Sequence, residues 1–228
     1  MAEARHKLLT TERQLAAAEI ALSQQCNVMR EIHARTGTPP LRDFSADFSG
    51  LAKIVTGQQL STASASAIWN RVAAAVDPLH PATLRGMNDV QLAALGLSGA
   101  KIRTLKAIAT AILDDGLDIT SMSKAPNNVV IEKLTALHGV GPWTADIFLL
   151  FALRRPDAFA PGDLALQLAV QRLFKLKSRP SPAELEKIAE RWRPWRAVAA
   201  RLLWADYGLS RSETPKSMPR KPSKKPVK

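Results

Sequence analysis

The chain has 228 residues, of which 46% are hydrophobic and 5% aromatic, and its formal net charge is +12 at pH 7. A single cysteine, Cys26, excludes an intramolecular disulfide framework and any zinc or iron–sulfur site that needs several thiolates. No run approaches the roughly 20 apolar residues of a membrane span. The N-terminus shows no apolar signal-peptide core, so we expect a soluble protein of a reducing compartment.

Helical periodicity extends over nearly the whole chain, and no stretch alternates apolar and polar residues for long enough to predict a sheet. The first predicted helix is capped by Thr10 or Thr11 and ends near Arg35, before the breaker TGTPP. Further helices are expected at about 48–57, 61–76, 88–95, 99–115 and 127–137. The pattern therefore predicts an all-α fold.

The second half of the chain predicts four more helices, separated by loops that contain glycine or proline. Pro142 is suited to the first position of a very apolar helix, where its missing N–H costs nothing. Asp163 is suited to cap the next helix, and Ser181 begins a capping box. The last helix is expected to end at Gly208. These helices are expected at about 142–154, 163–175, 181–192 and 194–207.

Half of the net positive charge lies at the C-terminus. Residues 211–228 hold seven lysines and arginines, one glutamate and four prolines, which gives this segment a charge of +6. The composition predicts a disordered basic tail. Such a tail attracts phosphate groups without selecting a sequence, but it would equally serve to keep the protein in solution. Charge alone leaves both interpretations open.

The sequence LHGVGPW, residues 137–143, joins two predicted helices through two glycines. A Gly-x-Gly turn leaves backbone N–H groups unpaired at the start of the second helix and removes the side chains that would keep another backbone away. Such a helix start suits a phosphate, with donors expected from Val140, Gly141 and Trp143. The alternative is a tight corner between two helices that needs glycine only for its conformation.

A longer stretch decides between these interpretations. LTALHGVGPWTADIFLLFALRRPDAFAPGDLAL resembles the helix-hairpin-helix–Gly/Pro-Asp superfamily of DNA glycosylases, and specifically the DNA-3-methyladenine glycosylase II branch. The family pattern is a hairpin L-x-G-[VI]-G-x-W-T-A, a long apolar helix, a Gly/Pro-rich loop and an aspartate. GQQLS at 57–61 and ERWRPWRAVAARLLW at 190–204 agree with it in the same order. The hairpin and loop residues that match are Leu137, Gly139, Val140, Gly141, Trp143, Thr144, Ala145, Pro161, Gly162 and Asp163.

The resemblance spans about residues 45–208 and implies two small helical lobes with a cleft between them. It divides the chain into an N-terminal helical segment, 1–40, a glycosylase core, 41–210, and the tail, 211–228. It implies a base-excision repair enzyme that flips an alkylated purine out of double-stranded DNA and hydrolyses its N-glycosidic bond. Such an enzyme is expected to be a monomer in the cytoplasm, associated with the nucleoid and with no membrane partner.

Asp163 is the catalytic candidate that the resemblance implies. Cleavage of the bond builds positive charge on the sugar, which a carboxylate can stabilise while it orients a water molecule. An ordinary N-cap is the alternative role. Trp143 and Trp195 are expected to line the base pocket, since electron-rich rings stack well on the cationic bases 3-methyladenine and 7-methylguanine. The other tryptophans are assigned to the core, namely Trp69, Trp192 and Trp204.

The resemblance also indicates a monofunctional hydrolase that needs no cofactor. Relatives that cut the strand use a lysine as a Schiff-base nucleophile, and in the endonuclease III-like branch it stands at the position of Trp143. That branch usually has four C-terminal cysteines for an iron–sulfur cluster, and this chain has none there. We therefore expect no lyase activity and no cluster.

DNA contacts are expected from the hairpin and from the turn at 57–61. In that turn, Gln59 or alternatively Leu60 would enter the gap left by the flipped base, although two solvated glutamines would look the same. By resemblance, main-chain carbonyls of the hairpin could hold Na⁺ or K⁺. The expected DNA contacts are Gln58, Gln59, Leu60, Gly139, Val140, Gly141 and Thr144. The expected cation ligands are the carbonyls of Thr135, Leu137 and Val140.

Two other functions remain open from the sequence. The first is a non-catalytic helix-hairpin-helix module that holds DNA through the glycine turn and the tail. Such a module would need neither Asp163 nor Trp143. The second is a glycosylase for a different damaged base, since the shape of the pocket sets the lesion.

Overall fold

A computed structural model describes residues 8–42 and 44–213 of the chain. Within these residues the protein is helical and forms no β-strand, which confirms the all-α prediction. The predicted tail lies outside the described residues from position 214 onward. In the described part, no helix is both long and apolar enough to cross a lipid bilayer.

Twelve α-helices follow one another in the two described ranges: α1 Glu12–Gln25, α2 Asn27–Thr36, α3 Phe48–Gly57, α4 Thr62–Ala75, α5 Pro81–Gly86, α6 Asp89–Ala94, α7 Gly99–Leu113, α8 Asn127–Thr135, α9 Pro142–Ile147, α10 Leu164–Leu173, α11 Pro182–Ala189 and α12 Arg196–Glu213. Short 3₁₀ turns lie at Thr120–Lys124 and Glu190–Trp192, and a π-helical turn at Phe148–Ala152. The short helix α5 has no counterpart among the predicted elements.

Side-chain caps fix where several helices begin. Thr11 accepts a hydrogen bond from the backbone N–H of Gln14, whose side chain returns a bond to the cap. Ser181 and Glu184 form the same reciprocal box at α11. Because each cap satisfies N–H groups that have no partner inside the helix, the predicted starts at Thr11 and Ser181 are confirmed.

The N-terminal region differs from the prediction, which placed one helix from Thr10 or Thr11 to Arg35. The chain is extended at Cys26, with φ −142° and ψ 113°, so that α1 ends and α2 begins there. The side-chain amide of Gln25 donates to two carbonyls before α12, those of Arg191 at 2.8 Å and Arg193 at 2.9 Å. The break therefore lets both helices pack on α12, and it is fixed by contacts 166 and 168 residues away that local periodicity does not encode.

Two further helices also differ from the prediction. The expected helix 142–154 turns π-helical at Phe148–Ala152, where Leu153 N–H bonds the carbonyl of Phe148 five residues earlier. The last helix passes through Gly208 and ends at Glu213. Because glycine inside a helix costs only about 1 kcal/mol, the packed α12 tolerates it. The first three residues of the predicted tail are thus helical.

The helices form two groups. The middle of the chain makes one lobe, in which α5 and α6 pack on α7, and α3 packs on both α4 and α7. The two ends of the described chain make the other, in which α1, α2 and α10 pack on α12. Asp206 of α12, which is 3% exposed, pairs with Arg35 of α2 and Arg172 of α10. The helix α9 and its π-helical turn contact α3 and connect the lobes.

Candidate active site

The turn between α8 and α9, residues 136–141, is the hairpin of this fold. Gly139 has φ +75°, a left-handed conformation that favours glycine. A Cβ atom there would lie 1.9 Å from the hydroxyl oxygen of Thr104 on α7. Gly139 is therefore required by both its conformation and the close approach of α7.

Gly141 has no such internal requirement. Its φ is −98°, and a Cβ added to it would meet nothing within 4 Å. Its carbonyl caps α9 by accepting from the N–H groups of Thr144 at 3.0 Å and Ala145 at 3.2 Å. Among the described residues, the N–H groups of Gly139 and Gly141 have no acceptor. Open space and unpaired donors thus coincide at the outer side of the hairpin.

Val140 differs from the prediction. Its N–H bonds the carbonyl of Leu137 at 3.1 Å, and its side chain is buried in the core. The expected N–H donor is therefore engaged inside the turn, and the predicted contact of Val140 with DNA stays a prediction. In the described residues, the carbonyl oxygens of Val140 and Thr135 accept no hydrogen bond, whereas that of Leu137 accepts the one from Val140.

Gln58, at the end of α3, joins the turn at 57–61 to the hairpin. Its side-chain amide donates to the carbonyl of Gly139 at 3.2 Å and to the hydroxyl of Thr144 at 2.9 Å. The side chain of Thr144 is buried in the free protein, and its predicted contact with DNA stays a prediction. These bonds of the Gln58 amide fix the turn against the hairpin, and the predicted contact of Gln58 with DNA stays a prediction.

The two candidates for insertion into DNA lie at the tip of this turn. Gln59 is exposed and has φ +57°, which is uncommon for a residue other than glycine. Leu60 is 39% exposed, unusually so for a large apolar side chain. Residues held in strained conformations cluster at ligand-binding sites. The exposure of both residues is what insertion would need, and the choice between them stays a prediction.

Asp163 lies at the start of α10, where it accepts from the N–H of Leu166 at 3.0 Å and so confirms the predicted N-cap. Its Oδ2 also accepts from the indole Nε1 of Trp143 at 2.8 Å, and its Oδ1 from that of Trp204 at 2.9 Å. All three neighbours donate, which suits a carboxylate that carries its charge. The half-buried Asp163 is thereby fixed in orientation, beside the helix that follows the hairpin.

Trp204, which the sequence analysis left to the core, packs against the core and also has a contact that the sequence did not predict. It stacks on Phe151 of the π-helical turn with centroids 5.6 Å apart, and it projects its indole N–H to Asp163. The spacing of α12 alone does not separate a core tryptophan from one that donates to the cap of a neighbouring helix. Trp195 is half-buried at the start of α12, and its predicted place in the pocket stays a prediction.

Positive charge borders this carboxylate. The guanidinium of Arg42 lies 5.2 Å from the ring centroid of Phe151, and that of the buried Arg201 lies 4.5 Å from it. Although Arg42 is exposed as a residue, desolvation of its charged end lowers its pKa, and the charge of Asp163 acts in the opposite direction. Burial lowers the pKa of Arg201 to about 10, and the charge of Arg42 adds to this effect.

One turn beyond Trp143, Asp146 faces a different charged cluster. Burial and the neighbouring Glu186 raise its pKa to about 7, against the opposing charge of Arg196. Arg196 is tied to Asp157 at 2.8 Å and to Glu186 at 2.6 Å. This network holds the start of α12 in place and is separate from the contacts of Asp163.

Comparison with known proteins agrees with this geometry. Residues 52–194 match the family model described as HhH-GPD superfamily base excision DNA repair protein. This match covers more than half of the chain and contains the hairpin and Asp163. The chain belongs to the HhH-GPD superfamily.

Among curated HhH-GPD proteins, DNA-3-methyladenine glycosylase 1 of Schizosaccharomyces pombe is 33% identical over 170 residues, covering 70% of this chain and 74% of that protein. DNA-3-methyladenine glycosylase 2 of Escherichia coli is 30% identical over 135 residues, which cover 58% of this chain and 44% of that enzyme. A solved structure of the S. pombe 3-methyladenine DNA glycosylase with abasic DNA has a TM-score of 0.73 at 29% identity, covering 82% of this chain and 95% of that one.

In the described residues, no group of three or more histidine, cysteine, aspartate or glutamate side chains is placed to hold a metal ion.

The match to the HhH-GPD family ends at residue 194, before Trp204. The second indole donor to Asp163 therefore comes from outside the matched segment.

Proposed function

We propose that this HhH-GPD protein is a monofunctional DNA glycosylase that hydrolyses the N-glycosidic bond of alkylated purines in double-stranded DNA. The observation that carries the proposal is the carboxylate of Asp163, held by two indole N–H groups next to the hairpin. A module that only binds DNA does not require a carboxylate that is held in one orientation. The names of the relatives, 3-methyladenine glycosylases, support alkylated bases as the substrate class.

Asp163 supplies the charge that the reaction needs. As the bond between C1′ and the base breaks, positive charge develops on the sugar, and a fixed carboxylate stabilises it electrostatically. The same oxygen pair can orient a water molecule and accept its proton as the water attacks C1′. Because three donors already hold the carboxylate, little reorganisation is needed when this charge appears.

Trp143 serves both the carboxylate and the flipped base. Its indole N–H donates to Asp163, and its half-buried ring is the surface expected to stack on the base. A cationic base such as 3-methyladenine or 7-methylguanine gains from contact with an electron-rich face. Departure of a cationic base leaves it neutral, so this class of substrate requires no general acid.

The hairpin is expected to hold the DNA backbone. The N–H groups of Gly139 and Gly141 have no acceptor among the described residues, Gly141 borders open space, and two N–H donors suit a phosphate oxygen. The carbonyls of Thr135 and Val140 are free to hold Na⁺ or K⁺, which would add positive charge beside that phosphate, with Leu137 as the third expected ligand. The exposed Gln59 or Leu60 would fill the gap in the base stack.

The same site favours hydrolysis without strand cleavage. A lyase forms a Schiff base between C1′ and a lysine amine. At the hairpin position where relatives with that activity carry lysine, this chain has Trp143, whose N–H is engaged by Asp163. We expect an abasic site as the product, with the strand left intact, and a protein that acts as a monomer.

Base release from methylated DNA tests the proposal. The full chain is incubated with methylated duplex DNA, and the released bases are separated by chromatography. We expect 3-methyladenine and 7-methylguanine to be released, with strand breaks appearing only after alkali. Binding without base release would favour the DNA-binding module. Breaks without alkali, together with a borohydride-trapped adduct, would contradict the monofunctional assignment.

A further inference from the structure

Arg42 lies outside every predicted site and outside the segment that matches the family model. It belongs to the loop between α2 and α3, and its guanidinium lies over Phe151. Phe151 stacks on Trp204, and Trp204 donates to Asp163. Arg42 is thus connected through two rings to the carboxylate proposed to face the sugar.

The donors of Arg42 are available to a ligand. An arginine carries five N–H donors, and those of Arg42 have no hydrogen-bond acceptor or ion-pair partner among the described residues. Phe151 and Trp204 connect Arg42 to Asp163, so the two charged groups border the same region, and the charge of Asp163 opposes the lowering of the Arg42 pKa. Because Arg42 is exposed, these donors are open to water in the free protein and to the acceptors of a bound molecule.

We propose that Arg42 is a specificity-determining residue that favours release of neutral damaged purines over cationic ones. This inference rests on the proposed function. When the C1′–N9 bond of a neutral purine breaks, its electron pair leaves with the base as an anion, and the attacking water later supplies the proton. A guanidinium that donates to the base stabilises this anion.

A cationic purine behaves in the opposite way. Its positive charge before cleavage is disfavoured beside Arg42 and the neighbouring Arg201, and the base leaves neutral, so it gains nothing from a cation. Arg42 should therefore change the ratio of the two rates, whatever its effect on either rate alone. A change in this ratio distinguishes Arg42 from a residue that only attracts DNA.

The test is single-turnover release from matched duplexes that carry one 7-methylguanine or one hypoxanthine, the latter being a neutral purine. Arg42→Gln removes the charge, and Arg42→Lys keeps it without the planar set of donors. Arg30→Gln on the exposed face of α2 is the control for losing one positive charge. Because both rates come from one preparation, their ratio does not depend on the folded fraction.

We expect the ratio of hypoxanthine release to 7-methylguanine release to fall at least tenfold in Arg42→Gln, less in Arg42→Lys and not at all in Arg30→Gln. An unchanged ratio in Arg42→Gln would overturn the inference. Release of 7-methylguanine but no hypoxanthine by the unaltered protein would also overturn it while leaving the proposed function intact. Release of neither base, together with no release of 3-methyladenine from methylated DNA, would overturn both.

Discussion

Replacing Trp204 by phenylalanine tests whether the orientation of Asp163 limits the reaction. The change removes the indole N–H that lies 2.9 Å from Oδ1 and keeps an aromatic ring against Phe151. A hydrogen bond to a charged group is worth about 1.5–3 kcal/mol, and about 1.4 kcal/mol is a tenfold change in rate. Asp163 keeps the donors of Trp143 and Leu166. We therefore expect the rate of base release to fall at least about tenfold.

Trp192 provides the matched control. It is fully buried between Phe159 and Phe174, and its indole nitrogen has no hydrogen-bond partner among the described residues. Trp192→Phe removes the same atoms from a tryptophan without removing a bond to Asp163. It should lower the melting temperature, since a cavity in the core is destabilising, and leave the rate of the folded enzyme unchanged.

The assay is single-turnover release of 7-methylguanine from a duplex, together with the Kd for DNA that contains an abasic-site analogue and the melting temperature of each variant. Trp204→Phe should lower the rate while Kd stays within about twofold, because the lost bond orients the carboxylate and not the DNA. An unaltered rate in Trp204→Phe, or an equal fall in Trp192→Phe, would refute the role assigned to Trp204.

Three other substitutions follow from the geometry. Gly139→Ala should destabilise the fold by about 2 kcal/mol or more, because of the positive φ and the contact with Thr104. Gly141→Ala should leave the melting temperature unchanged and weaken DNA binding. Equal melting temperatures of the two variants would contradict this contrast. Burial raises the pKa of Asp146 to about 7. Between about pH 4 and 7 the folded state keeps a proton on Asp146, whereas the unfolded state has released it. The free energy of unfolding therefore falls as the pH rises through this range, by at most about 4 kcal/mol. Urea unfolding of Asp146→Asn should show a smaller fall, and an unchanged pH dependence would exclude Asp146 as its source.

Local chemistry explains what the sequence could predict. The caps at Thr11, Ser181 and Asp163 and the turn at Gly139 depend on neighbours within a few residues, so their patterns are visible in the chain. The family resemblance assigned Asp163 and Trp143 to one site, and in the structure a 2.8 Å hydrogen bond joins the two side chains.

Contacts between distant segments could not be predicted in the same way. The break at Cys26 is fixed by carbonyls near residue 192, and Trp204 reaches Asp163 across 41 positions. From the sequence, Thr144 was expected to be an exposed hairpin residue, but Gln58, 86 positions away, donates to its hydroxyl. In each case the partner is set by how distant helices pack together, and helical periodicity contains no information about that packing.

The most direct measurement compares base release by Asp163→Asn and Asp118→Asn. Asp118 is also an aspartate whose side chain caps backbone N–H groups, those of Thr120 and Ser121, so its replacement controls for changing a capping carboxylate into an amide. We expect Asp163→Asn to release methylated bases on the order of a hundredfold or more slowly while it still binds abasic-site DNA, with Asp118→Asn unaffected. Release at the unaltered rate by Asp163→Asn would contradict the assignment of this carboxylate to the chemistry.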